Sequence, residues 1–278
     1  MINKNNVITS RQNPSVKKVC SLCEKKWREE YGLFRFDGVK LFCEALDCGL
    51  DIEGVYIRES SVDSLCQRLS DRLGELSDNR IICVSDAVFE KLSDEKSPEG
   101  IITVAKYIDK FRKNIKIDNI SLPPRGEAVL LLESLRDPGN LGTVIRSAAA
   151  LGIDRVIISS DCADVYNSKT IRAAMGGLFR IRLDSVEAER FDEYIAMLRA
   201  SGRRVFAAAL DESAAILGEL ELGAEDCFVI GNEGHGLSER VISACDRSVI
   251  IPMTEGCESL NAASAAVILI WEMRRARA

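Results

Sequence analysis

From Val129 onward one pattern recurs: a short apolar run, a turn, then a stretch with helical spacing. The apolar runs cover residues 129–132, 155–158, 178–183, 205–210, 227–230 and 248–251, and the helical stretches 141–151, 169–174, 190–200, 237–244 and 259–275. A strand with one wet face alternates apolar and polar residues, whereas these runs are continuous and so predict burial on both faces. Strands of that kind, joined by helical crossovers, form a mostly parallel sheet covered by helices on both sides. The fold class expected for residues 127–278 is therefore α/β.

Residues 1–108 read as a second, smaller α/β unit. Helical spacing over 14–30, 39–46, 62–73 and 86–92 is interleaved with strand-like runs at 33–36, 54–57, 80–84 and 101–105. Between the two units, residues 109–126 are polar and end in Pro123-Pro124-Arg125-Gly126. Such a backbone is stiff and resists helix and sheet, so it reads as a linker.

The N-terminal residues are polar, with no apolar core of signal-peptide length, and the longest apolar run, 262–271, is too short to span a bilayer. A cytoplasmic protein with no membrane partner is expected. Ten cysteines then read as free thiols in a reducing compartment. Cys20 and Cys23 form a CxxC, but Val16, Cys20, Cys23 and Trp27 recur at helical spacing and predict one apolar face instead of a zinc site. No metal is expected. The net charge of −6 argues against indiscriminate nucleic-acid binding. Up to Lys40, however, basic residues outnumber acids, among them Arg11, Lys17, Lys18, Arg28 and Arg35. That imbalance suits a protein that binds one folded RNA.

Three separated segments carry the most specific signal. The first runs from Asp137-Pro138-Gly139-Asn140 to Arg146, the second is Gly231-Asn232-Glu233-Gly234, and the third joins Ile251-Pro252-Met253 to Glu258-Ser259-Leu260-Asn261. In this order they resemble the motifs of the SpoU/TrmH family of RNA ribose 2′-O-methyltransferases, within the SPOUT group. The resemblance implies a trefoil knot in the C-terminal domain and S-adenosylmethionine as cofactor. It places cofactor contacts at Gly231, Ile251 and Leu260, with Met253 and Ala209 as neighbouring wall. It places Asn140, Arg146, Glu233, Ser259 and Asn261 around the reacting groups.

Looser matches extend the resemblance to the N-terminal half: Thr9-Ser10, Asn13-Pro14, Phe36-Asp37-Gly38 and Ser97-Pro98-Glu99-Gly100-Ile101. Asp37 departs from the family, which more usually has glutamate there. This half is implied to be a ribosomal-protein-like substrate-binding domain, and Ser168, Lys169 and Arg172 are implied to lie near the RNA. The last helix, rich in alanine and apolar nearly all round, is implied to pack against a twin subunit as a homodimer. The substrate implied is ribosomal RNA; a transfer RNA, or a non-catalytic role in RNA binding or ribosome assembly, are the alternatives. Neither a GxGxxG turn after a strand nor a Walker loop is present.

Transfer of methyl to a ribose hydroxyl is an in-line displacement by a poor nucleophile, so oxygen, methyl and sulfur must be aligned and the developing oxyanion stabilised. A guanidinium hardly ever gives up its proton, which favours Arg146 as an electrostatic stabiliser and positioner over a literal base. Glu233 has two readings, an ion pair that orients Arg146 or an acceptor for loop amides. His235, the sole imidazole, is given no catalytic role.

Overall fold

Two sheets organise the chain. The computed structural model describes residues 7–109, 111–119, 121–211, 213–254, 256 and 259–277, except for the side chains at 114 and 119. Contacts divide it into two units, Met1–Ile108 with Tyr166–Phe179, and Asp109–Val165 with Arg180–Ala278.

In the first unit Leu33–Asp37 (β1), Ile52–Arg58 (β2), Ile81–Val84 (β3) and Ile101–Lys106 (β4) lie in the order β1-β4-β2-β3. Strand β4 is antiparallel to both neighbours, and β2 and β3 are parallel. Val16, Val19 and Leu22 pack with Val88, Phe89 and Val104 in its core. The single helix expected over 14–30 is two, Pro14–Ser21 and Lys25–Tyr31. The break resets the helical phase, so Leu22 is buried and Cys23 is exposed, against the apolar face expected for both cysteines. Carbonyls freed at the break still need donors. Arg28, 4% exposed, supplies them, donating from Nη1 to the oxygens of Leu22 (2.8 Å) and Cys23 (2.7 Å). Arg35 is also buried and pairs with Asp94 at 2.9 Å. These two arginines therefore leave the basic surface on which the sequence placed them.

The segment Tyr166–Phe179 belongs to this unit although the sequence assigns it to the second domain. Tyr166 stacks on Tyr107 with ring centroids 4.2 Å apart and meets Phe34 at 4.7 Å. Phe179 packs on Phe36 at 5.4 Å. The apolar run at 178–183, expected as a strand, opens with the helical turn Gly177–Arg180, and the strand begins only at Arg182. An apolar run alone does not distinguish a buried strand from a buried turn of helix.

The second unit holds Phe111–Ile115 (β5), Val129–Leu132 (β6), Arg155–Ser159 (β7), Arg182–Val186 (β8), Val205–Ala208 (β9), Ala215–Ile216 (β10), Cys227–Ile230 (β11) and Arg247–Ile250 (β12). They form one sheet in the order β10-β12-β9-β11-β6-β7-β8-β5, with every pairing parallel. Leu131, Ile157, Val205 and Val229 pack on one face against Phe191, Tyr194 and Leu198. Helices Pro138–Leu151 and Ala262–Arg275 pack on each other, and the latter on β11.

Strand β5 corrects the linker expected over 109–126. A polar strand is suited to a sheet edge, and charge holds this one there. Asp184 of β8, 1% exposed, accepts from Arg112 at 2.6 and 2.7 Å and from Arg155 at 2.6 Å. A buried carboxylate needs paired donors. Arg112 thus stitches β5 to the sheet without the apolar run that would have marked it in the sequence. No helix among the described residues is long and apolar enough to cross a membrane.

Because the sheet is parallel, the carboxyl ends of its strands share one edge, where open α/β sheets form their crevices. The adjacent strands β12, β9, β11 and β6 send out loops beginning at Ile251, Ala209, Gly231 and Glu133.

Candidate active site

The loop after β11 closes on itself. Asn232 and Gly236 exchange backbone hydrogen bonds, Asn232 N to Gly236 O at 2.9 Å and Gly236 N to Asn232 O at 3.0 Å. The Asn232 side chain accepts from the amides of Gly234 (2.8 Å) and His235 (3.2 Å) and donates to the Ser134 carbonyl (2.8 Å). A Cβ on Gly231 would lie 2.3 Å from the Gly236 carbonyl carbon. Glycine is required there by the loop's own backbone, before any ligand is considered.

Asp137 caps the helix Pro138–Leu151, accepting from the Asn140 amide at 2.9 Å with Pro138 in the first turn. The Asn140 side chain is thereby free to bridge loops. Its Nδ2 donates to Glu233 Oε1 (3.1 Å), and its Oδ1 accepts from Asn261 Nδ2 (3.1 Å). Asn261 caps the helix Ala262–Arg275, accepting from Ala263 and Ser264, so Ser259 and Leu260 precede that helix. Glu233 also accepts from the amides of Asp137 (3.0 Å) and Arg136 (3.3 Å). One chain of hydrogen bonds therefore joins all three motifs.

Partial burial pushes the Glu233 carboxyl up, but the hydrogen bonds from Asn140 and the loop amides outweigh it and hold the pKa below the ordinary glutamate value. A depressed folded-state pKa contributes stability that is complete above the unfolded value and lost as pH falls through the folded one. The loop should accordingly hold its shape throughout the neutral range and loosen only at acid pH, below about 4.3, the ordinary glutamate value. An NMR titration of the Glu233 carboxyl checks this; a midpoint above the ordinary value would refute it.

These loops surround a cavity of about 480 Å³. Ala209, Gly231, Glu233, Ile251, Met253, Ser259 and Leu260, each expected around a common site, all line it. Its interior is apolar, with Ile230, Leu237, Ile242 and Val249, and Leu210 stands at its wall 77% exposed. Asn140 and Asn261 are tied to it through Glu233.

The profile of the SpoU rRNA Methylase family matches residues 127–271, and that of the MRM3-like substrate binding domain matches residues 13–103. The chain belongs to the SpoU rRNA methylase family. One SpoU-type relative is the 23S rRNA (guanosine(2553)-2′-O)-methyltransferase RlmP of Bacillus subtilis, 29% identical over 269 residues, 96% of this chain and 98% of that protein. Another is the 23S rRNA (uridine(2479)-2′-O)-methyltransferase of Streptomyces viridochromogenes, 27% identical over 97% of this chain and 92% of that one. Among solved structures, the AdoMet-bound rRNA methyltransferase from Sinorhizobium meliloti superposes with a TM-score of 0.80 at 27% identity, covering 97% of each chain.

Within this SpoU framework Arg146 stands apart. It is exposed on the helix Pro138–Leu151, six residues beyond Asn140 and so about 9 Å further along the axis. It makes no hydrogen bond or ion pair with the described residues, which corrects the reading that Glu233 orients it by ion pairing. Glu233 is the acceptor of loop amides instead. His235 lines the cavity with its side chain exposed. Glu258 lies outside the described residues.

The residues expected to meet RNA belong to the first unit. Lys17 and Lys169 are exposed, while Lys18 lies over the Tyr31 ring at 5.3 Å. Arg11 donates to the Ala87 carbonyl at 3.1 Å, and Arg172 is paired with Glu95 at 2.6 Å. Two contributors to the site escaped the sequence reading. Ser134 is held at φ 52° and donates to Asp161 at 2.6 Å. Glu133, buried at the end of β6, accepts from the Ser238 amide and hydroxyl at 2.9 and 2.6 Å. A carboxylate closing the apolar run at 129–132 was the available signal for Glu133; Ser134 had none.

Proposed function

We propose that the chain transfers methyl from S-adenosylmethionine to a ribose 2′-hydroxyl of ribosomal RNA. The observation that carries this reading is the hydrogen-bonded chain through Asn140, Glu233 and Asn261, which ties the first motif to the second and third, whose residues line the cavity. The cavity's residues suit such a cofactor. Its apolar lining, with Met253 and Leu260 each more than a third exposed, accommodates an adenine ring. When bound, the sulfonium supplies an electrophilic methyl group. Gly231, Ile251 and Leu260 hold the cofactor; Asn140, Ser259 and Asn261 shape the approach of the hydroxyl. Arg146 steadies the charge that develops on the ribose oxygen as its proton leaves.

The same reading makes the second and third motifs parts of a trefoil knot, and puts RNA binding on the first unit, through Arg11, Lys17, Lys18, Lys169 and Arg172. The reading includes a cytoplasmic location. The direct test is incubation with labelled cofactor and total RNA from a strain lacking the protein, with the methylated ribose mapped by mass spectrometry. Label in a 2′-O-methyl ribose of ribosomal RNA is the expected result; label in transfer RNA alone, or none, would overturn it.

The reading includes a homodimer. On the helix Ala262–Arg275, Ile268 and Trp271 are 37% and 52% exposed, two large apolar side chains on neighbouring turns. Buried tryptophans are common anchors of interfaces, where truncation costs about 2 kcal/mol or more. Trp271→Asp should therefore shift a dimer toward monomer in analytical ultracentrifugation. A wild-type chain that sediments as a monomer at micromolar concentration would remove the dimer from the proposal.

A further inference from the structure

We infer that Trp27 and Tyr31, on the helix Lys25–Tyr31 of the first unit, form a stacking platform for an unpaired base of the RNA. The identity of that occupant rests on the RNA-substrate reading above. The two rings stack on each other with centroids 5.8 Å apart and planes inclined by 17°. Tyr31 is 40% exposed and Trp27 half-buried, so neither ring is sealed in the core. A cation lies over each ring. Lys18, from the preceding helix, lies 5.3 Å over the Tyr31 ring, and Lys26 lies 5.0 Å over the Trp27 ring. Lys17 and Lys25 are exposed nearby in sequence, and none of the four lysines is held by a carboxylate among the described residues. The buried arginines of the same unit behave differently, Arg28 satisfying backbone carbonyls and Arg35 pairing with Asp94. Arg28 and Arg35 are thus committed to the fold, whereas the lysines around the rings have no carboxylate partner among the described residues.

Partly exposed aromatic rings beside ammonium groups match the chemistry of single-stranded RNA, whose bases offer π-faces and whose phosphates offer charge. A duplex hides its base faces, so a loop or unpaired segment is the fitting partner. Stacking of a base on an aromatic ring is stronger than an exposed lysine–ring contact, so an arriving base displaces Lys18 or Lys26 from a ring. The displaced ammonium then meets the adjoining phosphate. The alternative is a ring pair four residues apart that only stabilises its own helix.

The chain has two tryptophans, and Trp271→Phe leaves Trp27 as the sole indole emitter. That full-length variant is titrated with a single-stranded oligoadenylate of about ten nucleotides, with the same strand in a duplex, and with inorganic tripolyphosphate. The expected result is quenching of Trp27 emission by the single strand and none by tripolyphosphate or duplex. Trp27→Ala with Tyr31→Ala should weaken single-strand binding about tenfold, and Trp27→Phe with Tyr31→Phe should restore most of it. Absence of quenching, equal quenching by tripolyphosphate, or unchanged affinity in the double alanine variant would each overturn the platform. So would a Trp27 emission that changes with protein concentration alone, because a second copy would then cover the rings. No cofactor enters the measurement. A protein that failed to methylate RNA would still quench, and a methylating enzyme that did not quench would lose only this inference.

Discussion

Replacing Arg146 with alanine should reduce methyl transfer by about a hundred- to a thousandfold, the usual loss when one preorganised group that stabilises a developing oxyanion is removed. Cofactor binding, followed by calorimetry, should be nearly unchanged, because Arg146 does not line the cavity and bonds to none of the described residues that do. The physical demand on this residue is unusual. In the single chain its guanidinium stands in water, where high dielectric and salt weaken its field. In the proposed mechanism it would become effective only once another surface, such as the RNA, covers it and removes water. Arg146→Lys should therefore recover only part of the rate, keeping the charge and losing the planar fork that fixes an oxygen in place. Equal turnover by the alanine variant and the wild type would remove Arg146 from the mechanism.

Gly231→Ala should destabilise the protein by about 3 kcal/mol, the upper end for forcing extra atoms into a filled site. It should also weaken cofactor binding by about a hundredfold. The added methyl would meet not a ligand but the chain itself, with the Gly236 carbonyl carbon at 2.3 Å and the Leu237 amide at 2.4 Å. Both are backbone atoms and cannot rotate away as a flexible side-chain end would. The antiparallel bridge between Asn232 and Gly236 would open, and Glu233, which receives the Asn140 side chain and two amides, would lose its position. Two roles for Gly231 are separated by thermal unfolding and calorimetry on the same variant. If the glycine serves only to admit a ligand, binding falls while the melting temperature holds. If it serves the loop, both fall together, which is the outcome the geometry supports.

Residues were legible where chemistry depends on type and spacing. Asn140, Glu233 and Asn261 each stood in a motif, and a single hydrogen-bonded chain now joins them. Legibility failed where a residue's role depends on a distant partner. Arg112 makes a strand of a polar segment because Asp184, 72 positions away, is buried beneath it. Arg35 counted as surface charge until Asp94 and the Leu92 carbonyl enclosed it. Cys23 followed a helical phase that ends at Ser21, and nothing in the spacing of 14–30 marks that end. The segment Tyr166–Phe179 follows β7 in the chain yet is held by aromatic contacts with Phe34 and Tyr107.

Continuous apolar runs alternating with helical spacing were sufficient, unaided, to require a parallel sheet buried on both faces, because hydrophobic periodicity is a local property and each run carries its own. From that alone it followed that the strands' carboxyl ends share an edge. Which of those ends become neighbours was settled only in three dimensions. Strand order is a matter of long-range pairing, and no window of sequence encodes it. Placing β12, β9, β11 and β6 side by side brings Asn140 within 3.1 Å of Asn261, 121 positions away in the chain, and gathers the loops after β9, β11 and β12 around the cavity.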